Sequence, residues 1–200
     1  SRAHTPRHLC LLFLGVVGTY ICVRTGFDWW YFLSTWEHVP KPFLFVADGL
    51  GFLVPLFVPL GLFVYGRLQK RQSFIRVSGA VLLAVLVGFF VSTCIKVFTG
   101  RVSPPHHGPF DADISSAFQF GFMEHQIMGG WPSSHATVIF ALVACLCAFF
   151  PQKRWLPVVS YAMAFFIGIG VTFGFHWFSE FLMGALLGYV LGRSVYLTGR

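Results

Sequence analysis

The chain alternates between long apolar segments and short polar or basic loops. A helix rises 1.5 Å per residue, so about 20 apolar residues cross a hydrocarbon core of about 30 Å. The sequence predicts an all-α polytopic membrane protein with six transmembrane helices, forming a single domain over residues 1–200. The six apolar segments are residues 9–23, 43–65, 77–98, 136–150, 156–173 and 176–191.

The composition excludes an ordinary soluble domain. Hydrophobic residues make up 56% of the chain and charged residues only 10%, whereas about a quarter of a soluble domain is charged. A net charge of +7 suggests nucleic acid in a soluble protein, but here the basic residues flank apolar segments, where they set topology. The interpretation is therefore a membrane protein without a nucleic-acid partner. The five cysteines have neither metal-type nor disulfide-type spacing.

The basic residues predict the orientation in the membrane. With the N-terminus inside, ten lysines and arginines fall on the inner side and four on the outer side, in agreement with the positive-inside rule. Both termini are then cytoplasmic, in a cell (inner) membrane. The first apolar segment has no clear small-x-small cleavage site after it, which favours a spanning helix over a signal peptide.

Two features precede the third apolar segment. The aromatic stretch at residues 27–32 is typical of the headgroup level of a membrane. Asp48 lies near the start of the second segment. An acid within a span is a functional candidate. Asp48 is so close to the interface, however, that its carboxylate can reach water, and a solvated acid without a function is the favoured interpretation.

Several polar residues stand at the ends of apolar segments that alternation assigns to the outer face. They end the third segment, precede or begin the fourth, and begin the sixth, so they can converge at one depth. This convergence predicts an active site at the outer membrane–water interface. The residues are Lys96, Arg101, Ser133, Ser134, His135, His176 and Glu180.

The residue types suggest phosphate chemistry. His176 and Glu180 share one helix face, so the carboxylate can hold the imidazole in one tautomer while the other ring nitrogen faces a substrate. His135 follows two serines at a predicted helix start, where backbone N–H groups can receive an anion. The alternatives are an interfacial histidine beside a solvated Glu180, and an N-cap pair at Ser133 and Ser134.

Three short patterns together resemble the motifs of the type 2 phosphatidic acid phosphatase superfamily, over residues 95–188. The patterns are Lys96-x4-Arg101, Pro132-Ser133-Ser134-His135 and His176-x3-Glu180. The resemblance implies that His176 forms a phosphohistidine, His135 protonates the leaving alcohol and Glu180 orients the nucleophile. It also implies phosphate binding by Lys96, Arg101, Ser133 and Ser134, and no metal or other cofactor.

This sequence departs from the family pattern at several positions. Ser103-Pro104 stands where the family has arginine-proline, and Ile169-Gly170 where it has serine-arginine. Glu180 replaces an aspartate and Ser134 a glycine. The missing arginines indicate either a rearranged phosphate site or lost activity, and the surviving histidines and carboxylate favour the former.

The resemblance implies hydrolysis of a phosphomonoester or pyrophosphate on a lipid at the periplasmic or extracellular face. The alternatives are a lipid phosphotransferase with the same intermediate and a catalytically degenerate lipid-binding protein. A transporter is disfavoured because the ionisable residues gather at one face.

The loop at residues 102–130 allows a second chemistry. Its histidines and aspartates could ligate a metal, but its prolines and glycine fix no ligand periodicity. The favoured interpretation is an aromatic-rich interfacial cover that admits a lipid headgroup from the side. The residues concerned are His106, His107, Asp111, Asp113 and His125.

Overall fold

The computed structural model describes residues 5–108, 110–123 and 130–199. In this part of the chain the regular structure is helical apart from one isolated bridge between Arg101 and Phe118, which confirms the all-α prediction. The helices are α1 (Thr5–Arg24), α2 (Phe27–Trp36), α3 (Lys41–Leu68), α4 (Gln72–Thr99), α5 (Ser134–Phe149), α6 (Trp155–Gly170) and α7 (Phe178–Thr198). A 3₁₀ turn, Val171–Phe173, follows α6.

Five of the described segments are long and apolar enough to cross a membrane: α1 from Pro6, α3, α4, α6 with its 3₁₀ turn, and α7. Large apolar side chains point outward from them, for example Phe13, Phe57 and Phe90, which are all more than half exposed. Such surfaces are suited to lipid and not to water. The chain is a multi-pass membrane protein.

Helix α5 differs from these five helices. It has only 16 residues, most of them buried, so it occupies the centre of the bundle. It corresponds to the fourth predicted span and is shorter than each of the five segments named above.

A stripe of glycines joins α5 to α7. Gly184, Gly188 and Gly192 recur every four residues on one face of α7, and the backbone of α5 lies directly against them. A Cβ atom at Gly184 would stand 2.6 Å from the carbonyl oxygen of Ser133, closer than atoms can approach. Small residues allow two helix backbones to pack this closely. The two helices run parallel, and their N-terminal ends therefore lie side by side.

The aromatic stretch after α1 forms a short helix, α2, which the sequence pattern did not predict. Phe32 and Asp28 on this helix are buried. Phe27 packs edge-on against Phe178 at the start of α7, with ring centroids 5.3 Å apart, and the hydroxyl of Tyr31 is 2.9 Å from that of Thr172. Helix α2 thus rests on the end of the bundle where α7 begins.

Helix α4 ends in a turn that directs the chain inward. Gly100 adopts the left-handed conformation (φ +47°) and its N–H donates to the carbonyl of Lys96. A residue with a Cβ would be strained here and would meet the carbonyl of Gln119. The turn brings Arg101 directly under the following loop.

Candidate functional site

The described site residues come together at the end of the bundle where α5 and α7 begin. The rings of His135 and His176 are 5.9 Å apart between centroids. Lys96 enters from the last turn of α4 and Glu180 from the first turn of α7. The convergence expected from the alternating segments is therefore present in the fold.

His176 and Glu180 form a buried pair. Nδ1 of the imidazole is 2.6 Å from Oε2 of the carboxylate, and the two residues are 4% and 0% exposed. The backbone N–H of His176 donates to the carbonyl of Val171, so both the backbone and the side chain of His176 are held by hydrogen bonds. Because Nδ1 is engaged by the carboxylate, Nε2 is the ring nitrogen left for a substrate.

Burial lowers the pKa of His176 below its ordinary value, because the low-dielectric surroundings disfavour the imidazolium. The hydrogen bond and negative charge of Glu180 oppose this shift, and the positive charge of Lys96 adds to it. The imidazole is therefore neutral near pH 7, the form in which Nε2 carries a free lone pair.

His135 has looser surroundings. Its Nε2 is 3.1 Å from Oδ1 of Asp48, but among the described residues neither ring nitrogen has a partner with hydrogen-bond geometry. Phe52 packs edge-on at 4.9 Å, and Gly51 provides the space for the ring, since a Cβ there would stand 2.5 Å from it. The imidazole is held by packing on α3 and can change hydrogen-bond partners.

Asp48 thus lies closer to the site than its place near the start of an apolar segment predicts. The favoured interpretation was an acid that merely reaches water, and its side chain is indeed 30% exposed. Its carboxylate nevertheless lies against one of the two histidines. The signal for it was an acid within an apolar segment.

The two serines before His135 have different surroundings. Ser133 is fully buried and caps α5, its hydroxyl accepting from the N–H of Ala136 at 3.4 Å. Its own N–H donates to the carbonyl of Glu180 at 3.1 Å, which ties the starts of α5 and α7 together. The hydroxyl of Ser134 is 3.0 Å from that of Ser92 and borders the cavity described next.

A cavity of about 330 Å³ opens between α3, α4 and α5. Its polar end is formed by Lys96, Ser134 and His135. The rest is almost entirely apolar, so one cavity joins a charged end to a hydrocarbon-like interior. The other lining residues are Gly51, Phe52, Pro55, Leu56, Leu82, Val85, Leu86, Phe89, Thr93 and Val138.

Arg101 lies deeper than a phosphate-binding residue would be expected to lie. It is 0% exposed, and its guanidinium donates to the Ser115 carbonyl, the Ser179 hydroxyl and the Asp28 carboxylate. One of its nitrogens is 3.6 Å from Oε1 of Glu180. Phosphate binding by Arg101 stays a prediction. The burial of its guanidinium and its existing hydrogen-bond partners argue against that role.

The loop after Arg101 is partly described. Phe110 packs edge-on against Phe32 and Trp36 of α2, at 5.5 and 5.9 Å. Within residues 5–108, 110–123 and 130–199, no group of three or more histidines, cysteines, aspartates or glutamates could hold a metal ion. His106 and His107 are exposed, and His125 and Gly129 lie outside the described residues.

Comparison with known proteins identifies relatives of the chain. It is 26% identical over 133 residues to a lipid A 4'-phosphatase of Porphyromonas gingivalis, covering 66% of this chain and 54% of the relative. It is also 26% identical over 143 residues to the bacitracin transport permease protein BcrC of Bacillus licheniformis, covering 71% and 64%. The chain thus spans less than two thirds of the length of either curated relative.

A solved structure has the same fold. The crystal structure of a transmembrane PAP2-type phosphatidylglycerolphosphate phosphatase from Bacillus subtilis superposes with a TM-score of 0.61, covering 94% of this chain and 93% of that one at 16% identity. The model of the PAP2 superfamily matches residues 77–200, a stretch that contains both histidines, Glu180 and the glycine stripe. The chain belongs to the PAP2 superfamily, as its three motifs predicted.

Proposed function

We propose that the protein is an integral membrane lipid phosphatase that works through a phosphohistidine on His176. The observation that carries the proposal is the buried His176–Glu180 pair, with His135 opposite it at the polar end of an apolar cavity. A neutral, oriented imidazole is a nucleophile, and a second, adaptable imidazole beside it can move protons.

In the first half of the reaction, Nε2 of His176 attacks the phosphorus of the lipid phosphate. The bond from phosphorus to the lipid oxygen breaks, and protonated His135 gives its proton to that oxygen, so a neutral alcohol leaves. Glu180 accepts the hydrogen bond from Nδ1 and stabilises the positive charge that develops on the attacking ring. Lys96 and Ser134, the latter at the start of α5, stabilise the negative charge on the phosphoryl oxygens.

In the second half, the now neutral His135 removes a proton from water. The resulting oxygen attacks phosphorus, the bond from Nε2 to phosphorus breaks, and inorganic phosphate is released. Both histidines return to their starting protonation states, so the net reaction converts a lipid phosphate and water into a lipid alcohol and phosphate. A metal and other cofactors take no part in this scheme.

The cavity supports a lipid as the substrate. Its polar end holds Lys96, Ser134 and His135, which would contact phosphate, and its apolar walls would receive the adjoining hydrocarbon, burying apolar surface. The names of two similar proteins, a lipid A 4'-phosphatase and a phosphatidylglycerolphosphate phosphatase, support a phosphate ester on a lipid. A phosphotransferase would use the same intermediate with a second lipid as acceptor.

The test is phosphate release by the purified protein in detergent. Phosphatidate, phosphatidylglycerophosphate, polyprenyl phosphates and lipid A form the substrate panel, each measured with and without EDTA. We expect release of inorganic phosphate from at least one lipid, with or without EDTA. Transfer of the phosphoryl group to added lipid alcohol, in place of release, would indicate the phosphotransferase. Binding without either reaction would indicate a degenerate lipid-binding protein.

We also propose six spans, with α5 as the fourth, and the site at the periplasmic or extracellular face. Helix α5 is short, but its neighbours surround it and carry the contact with lipid. A cysteine-accessibility scan tests the orientation: residues 102–123 should be labelled from outside, and residues 67–76 only after permeabilisation. The reverse pattern would move the site to the cytoplasmic face.

A further inference from the structure

A buried carboxylate on α2 has no part in the reaction as written above. Asp28 is 0% exposed, and it accepts three hydrogen bonds: from the N–H of Ser179 at 2.9 Å, from the hydroxyl of Ser179, and from Arg101 at 2.7 Å. Ser179 belongs to the first turn of α7. The carboxylate therefore sits at the positive end of the helix that supplies Glu180.

Arg101 is held in one place by groups on several sides. Its Nε and one terminal nitrogen donate to the Ser115 carbonyl at 3.0 and 2.6 Å, and the other terminal nitrogen donates to the Ser179 hydroxyl at 2.8 Å. The rings of Phe118 and Trp177 lie 5.0 and 5.6 Å from the guanidinium carbon. A guanidinium with so many fixed partners has little freedom to turn toward another group.

The fixed guanidinium of Arg101 faces the carboxylate of Glu180, which orients His176. Oε2 of Glu180 accepts the hydrogen bond from His176, while Oε1 is buried without a hydrogen-bond partner among the described residues. The arginine nitrogen lies 3.6 Å from that oxygen. A buried carboxylate needs opposite charge nearby to remain ionised and in place. The position of Arg101 thus bears directly on Glu180.

We propose that Asp28 is a positioning residue, which fixes Arg101 and the first turn of α7 so that Glu180 holds His176 in its reactive orientation. The order of groups is Asp28, Arg101, Glu180 and His176, with alternating charge along the first three. The inference rests on the proposed function only in taking His176 as the nucleophile. Arg101 then acts through Glu180, not through contact with phosphate.

A purely structural role for Asp28 is the competing explanation, because the same contacts dock α2 on α7. Tyr31 provides a matched control. It lies on the same helix, and its hydroxyl also joins α2 to the bundle, through Thr172, but it does not contact Arg101 or Glu180 in the described hydrogen bonds. Tyr31→Phe removes a docking contact and leaves the charged groups intact.

The experiment measures kcat, KM and the thermal unfolding temperature of Asp28→Asn, Tyr31→Phe and wild type in detergent, with the lipid phosphate that wild type hydrolyses. Asparagine keeps the shape of Asp28 but loses its charge and one of its acceptor oxygens. We expect Asp28→Asn to lower kcat by about 10- to 100-fold with KM changed less than about threefold, the size of effect that follows loss of a charged hydrogen bond. Tyr31→Phe should lower the unfolding temperature and leave kcat of the folded protein within about twofold.

A double-mutant cycle decides how Asp28 acts. If it acts through Glu180, adding Asp28→Asn to Glu180→Gln should slow phosphoenzyme formation by less than about threefold further, because the positioned carboxylate is already gone. Full additivity of the two losses would overturn the proposal, and so would an Asp28→Asn protein of normal kcat and lowered stability. Should Asp28→Asn fail to fold, Ser179→Ala is put through the same cycle with the same criteria.

These outcomes are separate from failure of the proposed function. A wild-type protein that forms no phosphohistidine on His176 would refute the mechanism itself. A wild-type protein that forms it, with a normal rate in Asp28→Asn, would refute only the positioning role.

Discussion

The two histidines of the site occupy contrasting environments, although their rings are 5.9 Å apart. His176 is almost fully buried, and its Nδ1 is bound to a carboxylate that is itself buried. His135 borders a cavity, and the Asp48 carboxylate, 3.1 Å from its Nε2, is 30% exposed and lacks hydrogen-bond geometry. The protein fixes one imidazole and leaves the other free to exchange partners.

The contrast matches the different demands of the two proposed roles. A nucleophile gains from being held in one tautomer and one orientation, since the atom that attacks must be aimed before the reaction. A residue that first donates a proton and later accepts one must meet two different oxygens, that of the lipid and that of water. Removing His176, the rigid histidine, and removing His135, the adaptable one, should therefore affect the reaction rate in different ways.

The largest effect should come from removing the rigid histidine. We expect His176→Ala to abolish phosphoenzyme formation, because the proposed mechanism assigns the attack on phosphorus to Nε2 of His176 and gives His135 only proton transfer. The measurement is trapping of ³²P-labelled protein from a labelled lipid phosphate, with His106→Ala, which changes an exposed histidine of the loop after α4, as control. Label retained by His176→Ala and lost from His135→Ala would reverse the two roles.

The next effect concerns the carboxylate that holds the rigid histidine. Glu180→Gln keeps the size of the side chain and removes the charge that stabilises the attacking ring, so we expect a loss of roughly 10²- to 10⁴-fold in kcat with little change in binding. The rates are measured over a range of lipid concentrations, so that kcat and KM are obtained separately. A loss confined to KM would show that Glu180 contributes to substrate binding and not to orientation.

The same variant should change the pH dependence in a defined direction. In the proposed mechanism activity requires neutral His176, and because burial lowers the pKa of His176, the acid limb of wild type should lie below about pH 6.5, the ordinary value for histidine. Glu180 raises the pKa of His176, so replacing its carboxylate with the neutral amide in Glu180→Gln should move the acid limb to still lower pH. An acid limb that moves to higher pH in Glu180→Gln would contradict this assignment.

The rigid half of the site was largely predictable from the sequence, and the reason is its local spacing. His176 and Glu180 are four residues apart on one chain segment, so helix geometry alone joins them. The placement of Lys96 and His135 at the same end of the bundle followed from counting apolar segments. The close packing of α5 on α7 depends on glycines whose role was visible only once the two helices were paired.

The supporting residues could not be predicted because they come from distant parts of the chain. Asp28 meets Arg101 across 73 positions of sequence, and nothing in the local pattern around residues 27–32 distinguishes a buried helix from an interfacial aromatic stretch. Arg101 looked like a phosphate ligand because it lies near the family's motif position. Its burial depends on the turn at Gly100 and on the loop that covers it.

Removing the adaptable histidine should slow the reaction without abolishing it. We expect His135→Ala to lose roughly 10²- to 10⁴-fold with an alkyl lipid phosphate, the usual worth of a general acid. An aryl phosphate, whose phenolate leaves without protonation, should restore phosphoenzyme formation in His135→Ala far more than in His176→Ala. Equal rescue of both variants, or of neither, would contradict the division of roles.

The smallest effect should come from Asp48, whose side chain is 30% exposed and whose carboxylate is 3.1 Å from His135 Nε2 without hydrogen-bond geometry. A single contact of this kind contributes about 0.5–1.5 kcal/mol, so Asp48→Asn should lower kcat by about two- to tenfold with an alkyl substrate. In the proposed mechanism the contact assists proton donation to the leaving lipid oxygen, so the loss in the rate of phosphoenzyme formation should disappear with the aryl phosphate. Glu37→Gln, which removes one exposed charge from the end of α2, is the control for a general change in electrostatic field and should leave both rates unchanged. An equal loss with both substrates in Asp48→Asn would mean that Asp48 supports the fold around His135 or binds the phosphate region, and that the adaptable histidine works without a carboxylate partner.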